Sequence, residues 1–335
     1  MSNGVAFVLA EHDQSPRRYN PELVGIRRVP TAFCLLTEMS QADELLIGAV
    51  DMHLHGYPEI ALEVRQRLED VEVLEGARAA GMRGVVLKSH LWPTMGRAYH
   101  LRERVPGIEV YPSITLNPIA GGLSPWAVER AARLGARAVF MPTWSARNDL
   151  RRGGMSARFR HWFGPSAALE EANGLQVLDE QGRLVEPAAE ILRLALEEDL
   201  VLSTGHLSVE ESLALARDAH SIGFRRLVFG HPFAHLVGAS LETAREMASL
   251  GATVEMVAQG AFNPAPERAF PPARVAAVVR EIGPDHCLLA TDSFLEWPPP
   301  PAEFLRLFLA ALLALDVDPA SLRTMVRDNP AQLLD

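Results

Sequence analysis

Three side chains with metal-site chemistry stand two apart where a short apolar run, Leu45-Leu46-Ile47-Gly48-Ala49-Val50, comes to an end: Asp51, His53 and His55. Residues two apart in an extended strand point to the same face, so this spacing predicts all three on one side. Two imidazoles held that way can ligate one divalent cation, and a carboxylate behind them can orient a ring N–H. Alone the pattern is weak, because pairs of histidines at this spacing arise by chance. Three later apolar runs end in the same kind of residue: Val201-Leu202-Ser203-Thr204-Gly205-His206, Leu227-Val228-Phe229-Gly230-His231 and Leu288-Leu289-Ala290-Thr291-Asp292. One such ending is an ordinary polar residue leaving a core; four on separate strands mark a common rim. Nitrogen and oxygen donors without a thiolate suit zinc foremost, with manganese, iron or nickel as alternatives.

Bringing those strand ends together requires a scaffold of parallel strands. Eight β-rich runs are predicted: Ile47–His53, Gly84–Lys88, Ile108–Thr115, Ala136–Met141, Leu200–Thr204, Arg226–Phe229, Ala252–Met256 and Cys287–Thr291. Helical patterns alternate with them, at Glu63–Ala80, Pro125–Leu134, Val209–Ile222, Leu241–Leu250 and Pro272–Ile282. Ser124, Ser208 and Ser240 stand where helix N-caps belong. Near-continuous apolar strands with helices between them predict a (β/α)8 TIM barrel, with an open doubly wound sheet as the alternative. The 335 residues suit one such barrel, which needs about 250 residues plus insertions. Residues 1–45 read as an N-terminal extension and 46–335 as the barrel.

One interval is too long for a simple repeat unit. Residues 144–185, after the fourth strand, form an insertion ending in a hairpin pattern at 175–185. It carries Arg147, Arg151, Arg152, Arg158, Arg160 and His161 with few acids before Glu170. It overhangs the C-terminal mouth of a barrel, where active sites of this fold lie. It reads either as a lid recruiting an anionic substrate or as a solvated face or subunit contact.

Bulk composition narrows the classes. Hydrophobic residues make up 48 % and charged residues 22 %, as in globular proteins. A formal net charge of −10 leaves no basic footprint, so nucleic acid is not an expected partner. Cys34 and Cys287 sit in apolar runs and form no disulfide framework, which fits a reducing cytoplasm. The N-terminal run Val5–Ala10 lacks the basic region of a signal peptide. The run Phe304–Leu315 contains Arg306 and is shorter than the roughly 20 residues a membrane span needs; it predicts a buried helix. No membrane partner is expected, and homo-oligomerisation is left open.

The sequence resembles the amidohydrolase superfamily of metal-dependent hydrolases from Val50 to Leu334, through Asp51-x-His53-x-His55, the two later histidines and Asp292. The runs Val85-Val86-Leu87-Lys88-Ser89-His90, Leu116-Asn117 with Gly121-Gly122-Leu123, and Phe140-Met141-Pro142-Thr143 look like an uncharacterised branch of it. The resemblance implies that His53, His55 and Asp292 hold one metal, while His206 and His231 hold a second or share the first. Many two-metal members end the fourth strand with a carboxylated lysine or a glutamate; here that strand ends Phe140-Met141-Pro142-Thr143. Lys88 is the replacement candidate, as a carbamylated bridge between two metals. Otherwise it is an ammonium pairing with a substrate carboxylate or Asp292, or a structural cation. One or two ions per chain both remain open.

A metal in such a site lowers the pKa of a bound water from about 15.7 to about 7. Asp292 would then serve as general base and acid, and the same metal, or His231 if it is not a ligand, would polarise the scissile oxygen. His90, Trp92, Asn117, Trp144 and Arg147 are the candidate substrate contacts. The expected activity is hydrolysis of an amide, cyclic amide or lactone bond in a small molecule, which an anionic group would suit. Deamination is disfavoured because Leu207-Ser208-Val209 follows His206 without the expected acid; decarboxylation and phosphoester cleavage are further variants. A metal-free Schiff-base aldolase using Lys88 and a non-catalytic ligand-binding barrel are the competing classes.

Overall fold

The computed structural model describes residues 41–335. All but the last five residues of the expected extension, 1–45, therefore lie outside the described residues. Eight strands follow in chain order: β1 (Val50–His55), β2 (Gly84–Lys88), β3 (Glu109–Thr115), β4 (Ala138–Phe140), β5 (Val201–Ser203), β6 (Leu227–Phe229), β7 (Thr253–Val257) and β8 (Cys287–Ala290). Each pairs in parallel with the next. The ring closes where Leu54 pairs with Ser293, with Asp292 N–H donating to His53 O at 2.8 Å and His55 N–H to Ser293 O at 3.3 Å. Sequential pairing and closure make this a (β/α)8 barrel and exclude the open doubly wound sheet, whose strand order reverses.

Both faces of these strands are covered, so they read as apolar runs rather than alternations. Val50, Met52, Val86, Tyr111, Ala138, Phe140, Val201, Val228 and Leu288 fill the barrel interior. The outward side chains, among them Val85, Leu87 and Leu289, pack against the helical layer. That layer includes Pro301–Leu313, where Phe304, Leu305, Phe308, Leu309 and Leu312 are fully buried, as the apolar run predicts. Among the described residues no helix is long and apolar enough to cross a membrane.

Two expectations need adjustment. The helix expected at Glu63–Ala80 starts only at Asp70, where Glu69 and Glu72 form a reciprocal capping box; turns precede it. The insertion is ordered, with helices Arg147–Arg152 and Met155–Phe163 and a small hairpin at Leu178/Leu184. Trp144, Leu150, Met155, Phe159 and Leu169 bury themselves with Ile60 and Phe294 over one side of the mouth.

Gly205 shows how tightly the strand ends are set. Its φ is +57°, and a Cβ there would sit 2.4 Å from Met141 O. An L side chain meets both a disfavoured backbone conformation and an immovable carbonyl, at a cost of at least about 1–3 kcal/mol. Gly205→Ala is expected to lower the denaturant midpoint clearly; an unchanged midpoint contradicts this reading of the β5 end.

Candidate metal centre and its surroundings

A β-bulge makes the centre possible. The β1–β2 register shifts between Asp51 and Leu54. Val50 and Met52 point into the barrel, yet His53 does too, facing Phe140, Lys88 and Glu255, while Leu54 turns to the outer layer. The extra residue re-aims the two histidines inward. This corrects the expectation that Asp51 shares their face. Asp51 instead accepts from Thr291 N–H at 3.0 Å, from the Thr291 hydroxyl and from His53 N–H at 3.2 Å, tying β1 to β8. Burial, opposed by those hydrogen bonds, raises its carboxyl to about 6.

The carboxylates that orient the imidazoles come from elsewhere. Glu255 on β7 lies 3.1 Å from His53 Nδ1, and Glu59, just after β1, lies 3.1 Å from His55 Nδ1. A carboxylate only accepts, so each Nδ1 carries the proton and each Nε2 presents a lone pair. Asp292 Oδ1 stands 3.2 Å from His53 Nε2 and 3.3 Å from His55 Nε2. These three donor atoms all lie within 4.8 Å of one another. Two ligands at about 2.1 Å from a tetrahedral ion are about 3.4 Å apart. The residues therefore fit a divalent cation, and the buried His55 Nε2 has no hydrogen-bond partner of its own.

A second group, His55, Glu59 and His90, is similarly close. Glu59 Oε1 is already engaged by His55 Nδ1 and by His90 N–H at 2.6 Å. That makes Glu59 an orienting residue shared with the first group.

His206 and His231 reach the same rim but fall outside the tight donor set. Their rings are 5.1 Å apart, with His231 5.5 Å from His53 and His206 6.0 Å from His90. His206 Nδ1 bonds Asp149 Oδ2 at 2.6 Å, and Asp149 also accepts from Met155 and Ser156 N–H. The insertion thus supplies the group that aims His206. His231 N–H donates to Glu255 at 3.2 Å, while its buried Nδ1 has no partner. His231 and Asp292 both hold positive φ, +27° and +51°. Such backbone is uncommon outside glycine, though Asp and His adopt it more readily than most, and Asp199 and Asp316 hold it away from the site.

Charge follows this geometry. Burial disfavours ionisation of Asp292, but the close approach of the His53 and His55 imidazoles, with His231 near by, wins and holds it well below the usual carboxylate range. Burial, then the His206 charge, lowers His231 to about 3, leaving it neutral. Burial and then Lys88 likewise lower His53 and His90. His55 runs the other way: burial and Lys88 push it down, yet Asp292 and Glu59 raise it. Burial lifts Glu255 to about 7 against the pull of His231.

Lys88 is buried, its Nζ 2.8 Å from His53 Nε2 and 4.9 Å from the Phe140 ring centroid. Burial lowers its pKa, opposed by Asp292, Glu255 and Glu59. It competes with any cation for the His53 lone pair.

The expected substrate contacts divide. An open cavity with about 660 Å³ of empty space lies over Asp292, His206 and His231, and His90 is in its wall. Asn117 is not; its amide is spent on His90 O at 2.8 Å, Thr143 Oγ1 at 2.7 Å, Thr143 N–H at 3.0 Å and Ser145 Oγ at 2.6 Å. Trp144 is likewise occupied, donating to His90 O at 3.1 Å. Both brace His90. Trp92 is 59 % exposed and outside the cavity, and Arg147 lines a separate cleft with Arg151 and Glu180. Sequence reasoning missed Glu59, Asp149 and Glu255. Only Glu255 left a signal, as the lone acid in the strand Thr253-Val254-Glu255-Met256-Val257, where a buried charge needs a partner.

No curated protein matches the sequence. Solved structures do match in fold. An amidohydrolase from Pseudomonas aeruginosa shares 11 % identity at a TM-score of 0.58, over 89 % of this chain and 98 % of that one. The probable dipeptidase PvdM from the same organism shares 11 % identity at 0.56, with the same coverage. The organophosphorus hydrolase from Deinococcus radiodurans shares 16 % at 0.52, over 88 % and 94 %. The barrel thus shares its fold with these hydrolases across most of the chain, as the sequence motifs led one to expect. By sequence, residues 48–255 match the family of unknown function DUF6282. That match spans more than half of the chain, which belongs to the DUF6282 family.

Proposed function

We propose that this protein is a metal-dependent hydrolase that cleaves an amide, cyclic amide or lactone bond in a small molecule, with zinc as the metal. The observation that carries the reading is the convergence of three donors, Asp292 Oδ1 lying 3.2 Å from His53 Nε2 and 3.3 Å from His55 Nε2 and all three within 4.8 Å, each imidazole backed by a carboxylate, beneath an open cavity. The fold neighbours are described as amidohydrolase, dipeptidase and organophosphorus hydrolase, which supports hydrolysis without choosing the bond.

When bound, a divalent ion supplies Lewis acidity toward water and toward the scissile oxygen. His53, His55 and Asp292 would hold it, with His206 and His231 near enough to serve a second ion or the substrate. Asp292, ionised and facing the cavity, accepts the proton of the attacking water at its carboxylate and returns it to the leaving group. Neutral His231, in the cavity wall, would hydrogen-bond the substrate oxygen through a ring N–H. Lys88 sits behind His53 and is not in the cavity wall, which disfavours the Schiff-base aldolase.

Protein purified without added metal is expected to carry about one to two transition-metal ions per chain by elemental analysis, and His55→Ala to lose most of them. Because the raised His55 pKa keeps its proton on to higher pH, metal retention should fall as pH drops through and below the histidine range. A wild-type chain that stays metal-free after reconstitution contradicts the proposal. Asp292→Asn should leave the circular dichroism spectrum unchanged and cut turnover by about 10²–10⁴-fold on an amide or lactone found by screening. Near-normal turnover removes Asp292 from the proton path.

A further inference from the structure

The cavity wall carries two arginines that the chemistry above does not use. Arg158 comes from the insertion helix Met155–Phe163, and Arg268 from the loop after β7. Neither guanidinium has an acidic partner or side-chain hydrogen bond among the described residues. Arg158 lies over the Phe294 ring, its Cζ 5.6 Å from the centroid. Most other arginines that form ion pairs here do so at the surface, such as Arg193 with Glu186 and Arg217 with Glu246. Two cations without an ion-pair partner that face one partly enclosed space repel each other; burial and then the charge of Arg268 lower Arg158, against the pull of Asp292. Asn263 lines the same wall; its Oδ1 is used by Ala265 N–H, which leaves its amide N–H groups to donate.

From this arrangement we infer that Arg158 and Arg268 form an oxyanion subsite, so that the substrate is an amide, cyclic amide or lactone carrying a carboxylate or phosphate group. The inference rests on the hydrolase reading for the bond cleaved, but the subsite itself does not require the metal. A planar guanidinium fork matches either oxyanion with paired N–H donors. The anion sits on the insertion side of the cavity while the scissile bond faces Asp292 and His231. Arg158 and Arg268 therefore take over the anion-recruiting role that the sequence suggested for Arg147, which faces another cleft.

The test is isothermal titration of glutarate, inorganic phosphate and uncharged glutaramide into the full chain, as purified and again after dialysis against EDTA. Wild type should bind at least one anion and not glutaramide, in both states. Arg158→Gln and Arg268→Gln should each weaken the anion by about tenfold, the loss of one charge-assisted hydrogen-bonding partner. The tighter of the two anions identifies the oxyanion. Arg268 is exposed, so its variant reports on binding without risk to the fold. Equal binding of glutarate and glutaramide, unchanged affinity in Arg268→Gln, or no anion binding would overturn the subsite. If wild type takes up no metal on reconstitution yet binds the anion, the hydrolase reading falls and the subsite stands.

Discussion

Imidazole lone pairs can meet at one point inside a protein only if their opposite ring nitrogens are anchored, and that constraint organises the mouth of this barrel. Glu255 fixes His53, Glu59 fixes His55 and Asp149 fixes His206, each through Nδ1. Buried carboxylates are costly unless paired. The three acids satisfy one another's neighbours: Glu59 also takes His90 N–H, Glu255 takes His231 N–H, and Asp149 takes two N–H groups of the following helix. Asp292 stands apart because its partners are the Nε2 atoms themselves. That places its negative charge at the focus of the array and on the cavity side.

The barrel and the insertion divide the work. Strands deliver His53, His55, His231 and Asp292 with backbone held by ring closure, including the N–H of Asp292 on His53 O. The insertion cannot be a mere overhang, since Asp149 and Arg158 both come from it and face opposite tasks. Asp149 is buried and aims a histidine; Arg158 is partly exposed and lines the space a substrate would occupy. Its apolar side chains, Trp144, Leu150, Met155 and Phe159, pack onto Ile60 and Phe294 and hold both in place.

Much of the fold was legible because strands buried on both faces leave unbroken apolar runs, and all eight fall within a few residues of the observed bounds. The strand-end residues were legible for the same reason: a histidine or aspartate ending such a run is conspicuous. The bulge in β1 was not, because a register shift depends on how β2 pairs, and nothing in Asp51-Met52-His53 encodes it locally. Glu59 and Asp149 were hidden since an acid on a loop, or among Arg147, Arg151 and Arg152, looks like a solvated charge. Arg147 was chosen over Arg158, but the two lie on separate helices, Arg147–Arg152 and Met155–Phe163, and which of these borders the mouth is settled by tertiary packing.

The central claim is that three donors from β1 and the end of β8 share one cation. Anomalous diffraction at the metal edge, on crystals of the protein as purified, addresses it directly. The account predicts a peak about 2.0–2.2 Å from His53 Nε2, His55 Nε2 and Asp292 Oδ1 together. Bound metal found only at other residues, with Lys88 still on His53 Nε2, would contradict it.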